Sequence, residues 1–177
     1  NLWPGDAAAR AHARSISAEM HSGFAELRSR MPMNCRAMGR RVALPDELTR
    51  DIDRVFDIWS DCHRRHGDKD SWLFGEFSIA DAMYAPVVLR LRTYGINLPE
   101  SARHFANRVL QSDAMQEWLL ACETETEVIE QDEGGVVLGD GPDATDDGGV
   151  AAGDGAELRV LERVLVDELH AFRDQQA

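Results

Sequence analysis

A chain of 177 residues with 44% hydrophobic positions can bury one sizeable core but hardly two. Its net charge of −13 is lopsided: residues 1–122 hold 16 acidic and 16 basic side chains, residues 123–177 hold 16 and 3, so the first part has no bias toward nucleic acid or anionic membrane. No apolar run approaches a membrane span and no signal-peptide pattern opens the chain, while Cys35, Cys62 and Cys122 are too few and too irregular for a disulfide framework or a zinc ligand set. A reducing cytoplasm is the expected home. The start at Asn1, without an initiator Met, predicts further sequence upstream.

Trp3-Pro4-Gly5-Asp6 reads as a turn and an N-cap that open a long helix rich in Ala and Arg. Ala9, Ala13, Ile16, Met20, Phe24 and Leu27 recur at helical spacing, and Pro32 is expected to end the helix near Met31. A connector with Asn34, Gly39 and Arg36, Arg40 and Arg41 follows. Pro45-Asp46-Glu47 signals a second helix, stopped by Gly67, with an apolar stripe of Leu48, Ile52, Val55, Phe56, Trp59 and Cys62/His63. Its last turn gathers Arg64, Arg65 and His66, where the helix dipole favours cations.

The most informative stretch is Phe74-Gly75-Glu76-Phe77-Ser78-Ile79-Ala80-Asp81-Ala82-Met83-Tyr84-Ala85-Pro86. Ser78 and Asp81 form a capping box, Asp standing in the usual Glu/Gln place, which pairs two donors that a helix start leaves open. Ile79, Met83, Val87 and Leu91 then share one face, flanked by Ala80, Tyr84 and Val88, so the element from Ile79 to about Thr93 reads as a buried central helix. Pro86 predicts a kink. Two shorter helices, Glu100 to Leu110 and Ser112 or Asp113 to about Thr124, follow, the second turning Trp118, Leu119 and Cys122 to the core. No alternating strand pattern occurs in residues 1–122, and five helices joined by short connectors predict an all-α domain over residues 1–125. Residues 126–155 read as an acidic Gly/Asp-rich linker. Residues 156–177 read as an amphipathic C-terminal helix with Leu158, Leu161, Leu165, Leu169 and Phe172 on one stripe, made to dock on the bundle or on a partner.

Gly-x-Phe-Ser-Ile-Ala-Asp running into a long apolar helix resembles the capping-box segment of the glutathione transferase C-terminal domain, where the segment nucleates the central helix and is structural. Glu19-x-His21-x-Gly23-Phe24 on the first helix is similar to the corresponding helix of beta-class and related bacterial members. In that class the His lies near the glutathione sulfur, a Lys follows it, and an Asn seven residues earlier reaches glutathione in the neighbouring subunit. The resemblance therefore implies His21 as the catalytic, thiol-contacting residue. Ser22 stands where the Lys would be and Arg14 where the Asn would be. From spacing alone His21 reads only as a partly exposed helix residue; beside a thiol, it could hydrogen-bond or stabilise the nucleophilic thiolate.

Pro32-Met33-Asn34-Cys35-Arg36 also resembles this subgroup, so that Met20, Phe24, Met33 and Asn34 are expected to form a substrate wall, although Met33 is equally explained as core filling. The implied fold is a glutathione-transferase C-terminal-like helical bundle with an extra C-terminal helix. The implied activity is conjugation or isomerisation of a small electrophile with glutathione as co-substrate, in a cytoplasmic homodimer without nucleic acid or membrane partners. The family's thioredoxin-like half, which carries the activating Ser, Cys or Tyr, lies outside this chain, so the chain alone is expected to be nearly inactive. The alternative is a non-catalytic transferase-like interaction module. Cys62, His63 and His66 lack a second pair of metal ligands, and Asp143-x-Thr145-x-Asp147-Gly148 lacks the helix and Glu of a calcium loop, so no metal is expected.

Overall fold

The structure is a computed structural model that describes residues 2–67, 71–129, 133, 134, 136 and 137. The calcium-like stretch at 143–154 and the amphipathic segment at 156–177 lie outside the described residues. Among the described residues there are six helices: α1 (Ala7–Ser22), α2 (Ala25–Arg30), α3 (Asp46–His66), α4 (Ile79–Thr93), α5 (Glu100–Gln111) and α6 (Asp113–Thr124). The domain is all-α, as expected. A two-residue antiparallel ladder joins β1 (Arg40–Arg41) to β2 (Val136–Val137), with Arg40 opposite Val137. Strands this short leave no alternating pattern for sequence to display.

The first helix departs from expectation, because it stops at Ser22 instead of continuing to Met31. Gly23 donates its N–H to the Glu19 carbonyl at 2.8 Å, and a Cβ there would lie 2.8 Å from that same oxygen. Phe24 then takes a left-handed conformation, φ 57°, which turns the chain so that Phe24 and Leu27 both reach the core. The new start at α2 has no cap of its own; Asp51 of α3 supplies one by accepting the Leu27 N–H at 3.1 Å. Gly23→Ala should lower stability by about 1–3 kcal/mol, read as a shifted urea midpoint, because the added methyl meets backbone that cannot move aside.

Helix α4 is the axis of the domain. Twelve of its fifteen residues are buried, and it packs between α1 and α5. The chain from Leu2 to Asn34 follows it from end to end, as four contacts record. Ile79 N–H donates to the Leu2 carbonyl (3.0 Å), Tyr84 Oη to that of Ile16 (3.1 Å), Arg90 to that of Met31 and Thr93 Oγ1 to that of Asn34 (2.8 Å). Across the core, α3 packs on α2 and α5 and contributes Trp59, fully buried against the rings of Tyr84 and Phe105. Of the predicted α3 stripe only Phe56 stays half-buried, while Ile58, absent from it, is buried. On α6 only Met115 is buried; Trp118 and Leu119 pack on the core from its edge.

The capping box forms, and it does more than start a helix. Asp81 Oδ2 accepts the Ser78 N–H (2.7 Å) and hydroxyl (2.8 Å), while Oδ1 accepts the N–H of buried Leu73 at 2.9 Å. The carboxyl thus ties the 71–77 loop, folded on itself at Gly75 (φ 90°), to the first turn of α4. Burial pushes its pKa up to about 6 despite these three donors.

Candidate functional site

On α1, Ala9, Ala13, Ile16, Ser17 and Met20 are buried, which leaves Ala11, Arg14, Ser15, Ala18, His21 and Ser22 on the outward face. His21 and Arg14, two turns apart, therefore share one exposed side of the helix. Arg14 is held by Trp3, its guanidinium 5.5 Å from the ring centroid. The Ser22 hydroxyl donates to the Ala18 carbonyl at 2.9 Å, one turn back, and keeps its lone pairs for another donor. At the end of the helix, Arg28 of α2 donates to the His21 carbonyl at 3.0 Å. Arg28 was not singled out in the sequence, since the predicted single helix places it on a continuing turn; the break at Gly23 brings it back to His21. Glu19, in the same motif, accepts two bonds from Arg54 of α3 at 2.7 and 2.9 Å, fixing the angle of α1 against α3.

The residues assigned to a substrate wall are divided by burial. Met20 and Phe24 lie in the core, 4% and 6% exposed. Met33 is half-buried against that core. Asn34 has its polar atoms engaged: Oδ1 accepts the N–H groups of Arg36 (3.2 Å) and Ala37 (3.0 Å), Nδ2 donates to Glu133 at 2.7 Å, and its carbonyl receives Thr93. Those bonds make Asn34 the organiser of the connector between α2 and β1.

Glu133 also pairs with Arg40, whose guanidinium donates to the Gly134 carbonyl at 2.6 Å, and Tyr94 Oη donates to that same carbonyl at 3.2 Å. Arg36 reaches the carbonyls of Glu125 and, at 3.1 Å, Glu127. The segment after α6 thus runs back over the connector. Its acidic and glycine-rich composition gives no sign of this return in sequence.

A second cluster sits where α1 meets the end of α3. His12 Nδ1 and His66 Nε2 are 2.9 Å apart, Phe74 stacks on His66 at 4.8 Å, and Asp61 is 3.8 Å from His12 Nε2. Burial, then the charges of His66 and Arg65, hold the His12 pKa below the ordinary value. His66 is therefore turned to His12, while Cys62 and His63 are buried, and burial pushes the Cys62 thiol up to about 12. No group of three or more His, Cys, Asp or Glu able to hold a metal ion occurs among the described residues. No helix there is long and apolar enough to cross a membrane. A groove of about 440 Å³ between the end of α4, α5 and α6, lined by Arg92, Asn107, Leu110, Leu119 and Glu123, contains none of the residues assigned above.

Comparison with known proteins gives one family. The model for the glutathione S-transferase C-terminal domain matches residues 11–119. No curated protein matches the chain. That match runs from within α1 through α5 into α6, with both the α1 motif and the capped α4 inside it, and the chain belongs to the glutathione S-transferase family through its C-terminal helical domain.

Proposed function

We propose that this chain is the electrophile-side part of a beta-class-like bacterial glutathione transferase, acting in the cytoplasm as a homodimer. Joined to a thioredoxin-like half, it adds glutathione to small electrophiles or uses it in isomerisation. The observation that carries this reading is the outward face of α1, where Arg14, His21 and Ser22 are exposed among small side chains within the family match. Ala11, Ser15 and Ala18 let a second domain approach closely, and the three polar residues meet whatever lies between. His21 supplies the catalytic imidazole: it takes the thiol proton, or donates a hydrogen bond to the thiolate that attacks the electrophile. Arg14 and Ser22 contribute a cation and a hydroxyl for the carboxylates and amides of the tripeptide. Met33 and Asn34 edge the electrophile pocket, and Met20 and Phe24 back it from within the core.

With the thioredoxin-like half supplied, His21→Ala should lower kcat/KM for a chlorodinitrobenzene-type electrophile by about 10–100-fold, and the 177-residue chain by itself should stay near the uncatalysed rate. An ordinary conjugation rate from the chain alone would overturn the division of labour. Unchanged kcat/KM in the variant would remove His21 from the chemistry. A joined protein that passes glutathione resin unbound would favour the other reading, a transferase-like interaction module using the same exposed face.

A further inference from the structure

Two of the three cysteines meet. Cys35 lies on the connector after α2 and Cys122 in the last turn of α6; both are half-buried, and the Cys122 thiol is within hydrogen-bonding reach of that of Cys35. The contact is bracketed on both sides. Arg36, next to Cys35, bonds the carbonyls of Glu125 and Glu127, a few residues past Cys122. Asn34, on the other side, bonds Glu133 and receives Thr93 of α4. The two chain segments are thus held together by independent bonds. Cys35 stands outside any helix, where its backbone and χ1 can adjust to the short separation a disulfide requires.

We propose that Cys35 and Cys122 are a site of oxidative modification, closed by hydroperoxides into an intramolecular disulfide that staples the end of α6 to the connector. Cys122 makes the first attack. Burial and the neighbouring thiol push the Cys35 pKa up to about 12, so thiolate is scarce there. The Cys122 sulfur attacks the distal oxygen of the hydroperoxide and forms an S–O bond; the O–O bond breaks, and the alkoxide leaves as the alcohol with the thiol's proton. The Cys35 sulfur then attacks the Cys122 sulfenic acid, the S–O bond breaks, and hydroxide leaves as water with the Cys35 proton. Two thiols and one hydroperoxide give one disulfide, one alcohol and one water. The two electrons lost by the sulfurs are those that reduce the O–O bond. The loop so closed encloses α3, α4, α5 and most of α6, and constraint of the unfolded chain grows with loop length. Cys62, fully buried in the core, takes no part.

The test uses the 177-residue chain, oxidised with hydrogen peroxide, alkylated and mapped by peptide mass spectrometry. The expected result is a linked Cys35–Cys122 peptide pair that dithiothreitol dissolves, Cys62 alkylated only after denaturation, and a Tm several degrees above that of the reduced chain. Recovery of Cys122 as sulfinic acid, or cross-linked between chains, with Cys35 still alkylatable, would overturn the proposal. Cys35→Ser should abolish the Tm rise while Cys122 oxidises further. If that variant does not fold, Cys122→Ser should leave Cys35 thiol-intact under the same dose; a linked pair formed through Cys62 instead would count against the site.

Discussion

Asp81→Ala should destabilise the domain by about 3 kcal/mol in urea unfolding, whereas Ser78→Ala should cost about 1 kcal/mol. On sequence the two partners of a capping box carry equal weight. In the fold they do not, because only Asp81 reaches beyond its own helix. Its removal leaves the N–H groups of Leu73 and Ser78 unpaired in the interior, at about 1–3 kcal/mol each, offset in part because the buried charge is also gone. Near-equal losses for the two variants would show that the tie to Leu73 contributes nothing.

The same residue sets a pH signature. Its carboxyl titrates near 3.8 when unfolded and about 6 when folded. Between those values the folded chain holds a proton the unfolded chain has lost, so this group adds stability as pH falls and withdraws it as pH rises through about 6. His12 works in the opposite sense. Its folded pKa lies below 6.5, so its contribution is present above that value and is lost on acidification. Asp81→Asn removes the carboxyl's contribution and keeps that of His12. Its stability should therefore fall more steeply than wild type between about pH 6 and pH 4, as measured by urea midpoints across that range.

Trp59→Ala should cost about 3–5 kcal/mol, the largest effect expected of a single side chain in this domain. The indole is fully buried, 4.7 Å from the Phe105 ring, 6.1 Å from Tyr84 and 6.1 Å from Phe56, so its loss opens a cavity where α3, α4 and α5 meet. Against a total stability of about 5–15 kcal/mol for an ordinary domain, that loss brings the fold near its limit. Trp59→Phe should cost less than half as much. It keeps an aromatic ring and deletes an indole N–H that has no hydrogen-bond partner among the described residues. Calorimetric midpoints for the two variants measure the gap, and equal losses would mean that a ring filling this position contributes nothing.

Much of the helical frame was readable because its signals are local. Asp46 and Gly67 bound α3, and Ser78 and Gly95 bound α4, because caps and breakers act within a turn of where they stand. The break at Gly23 was not readable in the same way. Leu27 continues the 3.6-residue period of α1, and the left-handed turn at Phe24 breaks a local preference that the core overrides by taking in both Phe24 and Leu27. In the candidate site, residue types were visible as a motif, while their hydrogen-bond partners were not. Periodicity puts Met20 inside and His21 outside, but that Asn34 is engaged with Glu133, and that Arg28 turns back to His21, depends on partners far along the chain or across a bend.

By itself, then, the amino-acid sequence determined an all-α domain, its capped central helix and the motif that places His21 on the outer face of α1. Those follow from side-chain periodicity and from capping donors and acceptors a few residues apart. Only the tertiary structure decided that Asp81 holds a loop as well as a helix, that the acidic segment after α6 returns over the connector, and that Cys35 and Cys122 touch. Each of these joins chain segments whose approach is set by how the helices pack, and packing depends on long-range contacts that no local pattern encodes.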